Sequence, residues 1–242
     1  MRWIYISPHL DDAVLSAGGL IYEQTRAGIP VEIWTCMSGF PPDAEVSSLA
    51  QSMHEQWGFA SAEETIRLRR LEDDRAASIL GAKTFHYDFL DCIYRRSASG
   101  DWEYPSGVFD PPHASEADLP KQITRAISAR LHADDVLVCQ FAIGSHVDHV
   151  IVRRAVEGLS LPLFYDCDIP YLFNHPEDFT PNTAGKKETV YAVSEASLGF
   201  WQEAVMAYSS QLSMLFESPE HLRKSLRDYW AKKQGISLWQ VR

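Results

Sequence analysis

The sequence predicts an α/β protein, a Rossmann-like three-layer fold with a mostly parallel central sheet and its active site at the C-terminal ends of the strands. Three observations point there. A strand, a helix and a second strand follow one another within residues 3–35, the βαβ signature with its right-handed crossover. Helix and strand patterns then keep alternating along the chain. Residues 136–141, Val-Leu-Val-Cys-Gln-Phe, form an apolar run with the length of a buried parallel strand.

Residues 3–7, Trp-Ile-Tyr-Ile-Ser, are β-rich and stop before Pro8. Residues 13–27 read as a helix with Val14, Ala17, Gly18, Gly19 and Ile21 facing inward and Gly28 ending it. A helical glycine costs roughly 1 kcal/mol relative to alanine, so the Gly18-Gly19 pair predicts a close approach of this helix to the sheet. A strand follows at 31–35. Residues 62–80 form a helix with Leu68, Leu71 and Ile79 on one face, closed by Gly81, and a strand is expected at 84–89. Next come a helix at 120–131 and strands at 136–141 and 161–165. Leu198, Trp201, Val205 and Tyr208 recur at helical spacing, and Ser218-Pro219 is an N-cap with proline at the first helical position. Leu222, Leu226, Tyr229 and Trp230 form the apolar stripe of that last helix. Two stretches, 38–61 and 97–119, exceed the usual loop of ~4–6 residues and are expected to rim a ligand crevice. The second carries Trp102, Tyr104 and Phe109, which suit stacking on a sugar face. The whole chain, 1–242, reads as a single domain.

Thirty-three acids against 22 Lys plus Arg give a formal charge of −11, with no basic block. Nucleic acid or an anionic bilayer would be repelled by that average field. The four cysteines, Cys36, Cys92, Cys139 and Cys167, lie far apart, with no CxxC pair, and read as reduced and mostly buried. No apolar run approaches the ~18 residues of a membrane span, and the first apolar segment is too short for a signal peptide. A cytoplasmic protein is expected.

In an open parallel sheet, ligands bind beyond the carboxyl ends of the strands where strand order reverses. Two polar clusters fall in such places. His9, Asp11 and Asp12 follow the first strand; His146, Asp148 and His149 follow the strand ending near Phe141. If those strands are neighbours, the six side chains converge. Imidazole and carboxylate are the ligands of a catalytic zinc, three from the protein and one position open. The turn into a helix lets His9 and Asp12, at i and i+3, reach one ion while Asp11 points elsewhere. The second cluster offers a further ligand and two spare groups, and spare groups are what metal-assisted hydrolysis requires. An isolated Asp-Asp is by default a helix cap and an isolated HxxH two ordinary histidines; the conjunction at two strand ends carries the inference.

At these residues the sequence resembles the LmbE-like or PIG-L family of zinc-dependent N-acetyl sugar deacetylases. That family carries Pro-His-Pro-Asp-Asp-Glu after its first strand and His-x-Asp-His after a later one. Here they stand as Pro8-His9-Leu10-Asp11-Asp12-Ala13 and His146-Val147-Asp148-His149. The resemblance continues through Gly18-Gly19, Arg69-Arg70-Leu71-Glu72, Asp91 and Tyr208-Ser209-Ser210-Gln211, nearly the whole chain. It implies Zn2+, or another divalent metal, on His9, Asp12 and His149. It further implies Asp11 as general base on the metal-bound water and His146 as stabiliser of the tetrahedral intermediate or proton donor to the amine. Asp148 would orient an imidazole, and as a neighbouring carboxylate it would favour protonated His146. Arg69 and Asp91, with Trp102 and Tyr104 from the long loop, are the expected substrate contacts. Two positions depart from the motif: its glutamate is Ala13 and its second proline is Leu10.

The implied activity is removal of an N-acetyl or small N-acyl group from an amino sugar such as N-acetylglucosamine, or from a glycoconjugate, a small-molecule substrate. Two other readings are an amidase on a thiol-sugar conjugate and a catalytically silent metal- or nucleotide-binding Rossmann-like protein. A nucleotide site would want a glycine-rich turn where this chain puts two aspartates.

Overall fold

The computed structural model describes residues 1–241. Seven strands form one sheet: β1 (Trp3–Ser7), β2 (Val31–Thr35), β3 (Lys83–His86), β4 (Val136–Gln140), β5 (Leu163–Asp166), β6 (Lys186–Ala192) and β7 (Gly235–Val241). Their order is β3-β2-β1-β4-β5-β7-β6. The first five are parallel, and β7 pairs antiparallel with both β5 and β6. The antiparallel β6–β7 pair went unread in the sequence because no apolar run marks β6, whose residues are half-buried or exposed at the rim of the sheet. β1 and β4 are neighbours, with Trp3 opposite Val136 and Ile6 opposite Cys139, so strand order reverses between them.

The helices are α1 (Asp12–Arg26), α2 (Ser48–Trp57), α3 (Ala62–Leu80), α4 (Leu119–Ser128), α5 (Val147–Glu157), α6 (Tyr171–Asn174), α7 (Phe179–Thr183), α8 (Glu195–Met206), α9 (Leu212–Leu215) and α10 (Pro219–Ala231). The two-residue period of β1 and β4 divides them between two faces. Trp3, Tyr5, Val136 and Val138 pack with residues of α1, α3, α8 and α10. Ile4, Ile6, Leu137 and Cys139 pack with residues of α2, α4 and α5. Three layers result.

Most of the expected elements lie where the sequence puts them, α5 to α7 are additional, and three differences bear on packing. The stretch 38–61 contains α2, capped by the Ser47 hydroxyl accepting from Ala50 N–H and closed by Gly58 at φ 79°. Along α3 the buried face is Thr65, Ile66, Arg69, Asp73, Ala76, Ala77 and Leu80, while Leu71 is 55% exposed. Polar residues occupy the core face there because Arg69 and Asp73 serve buried partners, Asp11 and Tyr208. Gly18 is crowded by a helix: a Cβ there would stand 2.4 Å from Cδ1 of Trp201 on α8. The Trp201 indole N–H in turn donates to the Val14 carbonyl at 2.7 Å.

Candidate active site

Leaving β1, the chain turns over four residues held by short bonds. The Ser7 hydroxyl donates to the His9 carbonyl at 2.6 Å and accepts from Ala13 N–H, covering an open donor of α1. Asp12 Oδ2 accepts from His9 N–H at 2.7 Å, which draws the Asp12 carboxylate back over the turn. Across the switch point, β4 ends in a left-handed run: Ala142, Gly144 and Ser145 all have φ between 60° and 78°. Gly144 is required twice over, for its φ and because a Cβ would meet the Tyr171 ring at 2.9 Å. This run delivers His146 to the cap of α5, where its Nδ1 accepts from Asp148 N–H at 3.2 Å.

The six side chains converge. Asp12 Oδ2 lies 3.4 Å from His9 Nδ1 and 3.4 Å from His149 Nε2. Tetrahedral bonds of ~2.0–2.1 Å separate two ligand atoms by about 3.3–3.4 Å, so the spacing is that of a zinc site. His149 Nε2 is buried with no hydrogen-bond partner, an orphan a cation would satisfy. One ring nitrogen each of His9, His146 and His149 also lie within 4.8 Å of one another.

The other nitrogen of each ring separates the three imidazoles. His9 Nε2 lies 3.1 Å from Asp148 Oδ2, and His149 Nδ1 lies 3.2 Å from Asp168 Oδ1. Each donates there and keeps a lone pair for the centre. His146 does the reverse: its Nδ1 accepts, so a neutral ring carries its proton on Nε2. His9 and His149 therefore could hold a metal with Asp12, while His146 offers a donor. Burial, then His9 and His149, push the His146 pKa well below its ordinary value. Asp148 and Asp12 pull the other way and are outweighed, and the Asp148 carboxylate is itself bound to Arg95, Cys92 N–H and His9. The imidazole that Asp148 orients is that of His9.

Asp11 borders the same cleft, its Oδ2 3.6 Å from Arg69 Nη2. Burial, then the Asp12 charge, push its carboxyl up to about 7 despite Arg69 and His9. Burial opposes ionised Asp12 as well, but His149 and His9 hold its carboxyl below the usual range. His9 is the converse: with no cation present, burial lowers it, yet Asp12 and Asp148 lift it well above its ordinary value, so a metal would take the place of the Nδ1 proton and free that lone pair. Asp91, whose Oδ1 accepts from Ile93 N–H, stands with its other oxygen 3.7 Å from His9 Nε2. The cleft opens to solvent and has a cavity volume of about 80 Å³. His9, Asp11, Asp12, Arg69, Asp91 and His146 form its polar floor; Met53, Trp57, Val108, Tyr171, Met214 and Leu215 contribute its apolar walls.

Of the expected substrate contacts, Arg69 and Asp91 line this cleft, and Trp102 and Tyr104 do not. Trp102 borders a separate crevice with Pro41 and Tyr94, its face covered by the Arg96 guanidinium at 3.6 Å. Tyr104 is buried, its hydroxyl donating to Glu116, which also binds Arg95. The aromatic loop residue nearest the site is Phe109, whose ring lies 5.8 Å from that of His146. Sequence reasoning missed Arg95 and Asp168. Asp168 carried a usable signal, since Asp166-Cys167-Asp168 ends the apolar run of β5 at the same edge of the sheet. Arg95 carried none.

Comparison with known proteins decides the relationship. Residues 4–159, more than half of the chain, match the family model described as PIG-L, GlcNAc-PI de-N-acetylase. The chain belongs to the PIG-L family. Among PIG-L relatives, a 2'-N-acetylparomamine deacetylase of Niallia circulans is 25% identical over 268 residues, covering 99% of this chain and 94% of that protein. A teicoplanin deacetylase solved in a zinc-inhibited form superposes with a TM-score of 0.82 at 29% identity, covering 99% of this chain and 97% of that one. A deacetylase of A40926 pseudoaglycone gives 0.72 and 26%, over 99% and 96%. All three relatives are deacetylases, enzymes that hydrolyse an amide. The fold is theirs, three layers about a mostly parallel sheet, and a divalent metal site consistent with zinc goes with it. No helix among the described residues is long and apolar enough to cross a membrane.

Proposed function

We propose that the protein is a zinc-dependent deacetylase that removes an N-acetyl or small N-acyl group from an amino sugar, most naturally one carried on a larger glycoconjugate. The observation that carries this reading is the pair of 3.4 Å spacings about Asp12 Oδ2, with two imidazoles presenting lone pairs and the third a donor. His9, Asp12 and His149 would hold the cation. Bound there, it supplies Lewis-acid polarisation of the amide carbonyl and lowers the pKa of water toward about 7.

The rest falls to the chain's own side chains. Asp11 takes the proton of the attacking water and returns it to the departing nitrogen. His146 donates from Nε2 to the oxygen that gains charge, which a neutral imidazole can do. Asp91 accepts from a sugar hydroxyl, and Arg69 steadies Asp11 and reaches a polar group of the substrate. The apolar walls, with the ring of Phe109, 56% exposed, beside those of His146 and Tyr171, support an aglycone with apolar surface beside the sugar. The relatives that act on teicoplanin and on A40926 pseudoaglycone support the same reading.

A nucleotide-binding role has no support here, since Asp11 and Asp12 occupy the turn where phosphate would sit. The motif departure at Ala13 lies in the apolar core rather than in the cleft, so no proposed ligand or base is lost. Metal analysis followed by acetate release from N-acetylglucosamine, its glycosides and glycopeptide conjugates tests the proposal. Stoichiometric zinc and acetate release lost in Asp11→Ala are expected. A preparation that neither holds zinc nor can be reconstituted with it overturns the reading.

A further inference from the structure

We infer that Asp168 is a positioning residue for the metal centre: it fixes the tautomer of His149 and ties that ligand to the helix carrying Asp12. The inference rests on the metal-binding reading above and extends it to a residue outside both sequence motifs.

The side chains of His149 and Asp168 are both fully buried, with Nδ1 and Oδ1 3.2 Å apart. A lone pair on Nδ1 would face the lone pairs of a carboxylate with no water between them. Burial makes that arrangement costly, so Nδ1 carries the proton and Nε2 the lone pair. Nε2 is the atom left without a partner, 3.4 Å from Asp12 Oδ2. Asp168 Oδ2 likewise has no partner among the described residues, so this carboxylate's one side-chain hydrogen bond is to His149. Asp148 differs: it divides its oxygens among His9, Arg95 and Cys92 N–H.

Asp168 is itself held on both sides. Its N–H donates to Asp166 Oδ1 at 3.2 Å, and the next N–H, of Ile169, donates to Ser16 Oγ at 3.0 Å. Ser16 lies one turn beyond Asp12 on α1, and Gln140 at the end of β4 donates to both Ser16 Oγ and the Asp12 carbonyl. The separation of Asp12 and His149, two ligands on different helices, is thus set through Ser16, Ile169 and Asp168. The backbone of Asp168 sits at φ 50°, a region that aspartate and asparagine enter more readily than most residues.

The test pairs zinc affinity with a direct view of the ring. Competition against a chromophoric chelator is measured for the wild type, Asp168→Asn and Asp168→Ala. Nitrogen-15 NMR of the metal-free wild type, with His149 assigned through His149→Gln, reads the tautomer. The Nδ1–H form is expected. Asp168→Ala should weaken zinc binding by roughly 10–100-fold, the usual effect of losing such a partner. Asp168→Asn, whose amide oxygen still accepts from Nδ1–H at the same backbone angle, should stay within about tenfold of the wild type. An Nε2–H ring in the wild type overturns the inference, as does a folded Asp168→Ala with wild-type affinity or an Asn variant as weak as Ala. Should Asp168→Ala fail to fold, the Asn variant and the wild-type tautomer decide. A wild type with the Nδ1–H ring but no zinc affinity counts against the metal reading and leaves the His149–Asp168 contact standing.

Discussion

Three histidines meet within one site, and what distinguishes them is the atom behind each ring. A carboxylate behind His9 and His149 leaves a lone pair in front; a backbone N–H behind His146 leaves a proton in front. His149→Ala should therefore lose bound zinc, whereas His146→Ala should keep it and lose roughly 10²–10³ in kcat, the usual effect of removing an oxyanion donor. Metal content and acetate release on the same preparations check both. Arg95 makes a second case at this scale. Its guanidinium binds Asp148 and Glu116 in the interior, and removing it strands the Asp148 charge. Arg95→Met should cost about 3–5 kcal/mol in urea unfolding, part of which Arg95→Met with Asp148→Asn recovers. Residues of the two motifs were legible because their types and spacing announce ligands. Arg95 was not, because nothing local tells a buried ion-pair partner from a surface charge, and Asp168 was marked only by its place at the end of the β5 apolar run.

Helices α1 and α8 pack through a glycine, and the sequence showed the glycine but not its partner. Small residues at 17–19 promised a close approach; only the structure identifies the indole of Trp201. Gly18→Ala should destabilise by about 1–3 kcal/mol through overpacking despite its better helix propensity, and a lowered Tm would show it. The long loop 97–119 divides its work differently from what its aromatic content implied. Tyr104 braces Glu116 and hence Arg95, Trp102 is covered by Arg96, and of the three Phe109 has its ring against His146. Phe109→Ser should lower kcat/KM about tenfold for substrates with an apolar aglycone and leave N-acetylglucosamine nearly unchanged, a difference on the scale of one buried aromatic side chain. Equal losses on both substrates would remove that role. In α3, counting leucines chose the wrong face because the core there is lined by Arg69 and Asp73, which hydropathy reads as solvent-facing.

Across the whole molecule the parallel half of the sheet was legible and the antiparallel edge was not. Buried strands β1, β2 and β4 declare themselves as apolar runs, whereas β6 reads Lys-Lys-Glu-Thr-Val-Tyr-Ala, the composition of a half-solvated edge. Ion pairs of Arg2 bridge neighbouring strands at the far end of the sheet. Arg2 donates to Asp135 at 3.1 and 2.7 Å, joining the start of β1 to the start of β4. Against the upward push of burial, that guanidinium and the His132 N–H hold the Asp135 carboxyl below its ordinary value. A carboxyl depressed in the native state adds stability that is full above its unfolded value, about 3.9, and fades as pH falls through the native value. Asp135→Asn should accordingly be less stable than the wild type at pH 7, with the gap closing below about pH 4; urea titrations at the two pH values check it.

The position of β7 bears on the order of assembly. It is the last element in sequence, yet it lies inside the sheet between β5 and β6. During synthesis the five parallel strands can associate as they emerge, while β6 must wait for a neighbour made some forty residues later, since its seven register pairs are all with β7. Until then β5 exposes an unpaired edge beside the segment that positions Asp168. The nascent chain is thus open to intermolecular strand pairing until β7 emerges, and expression yield should depend on residues 235–241 far more than their distance from the cleft suggests.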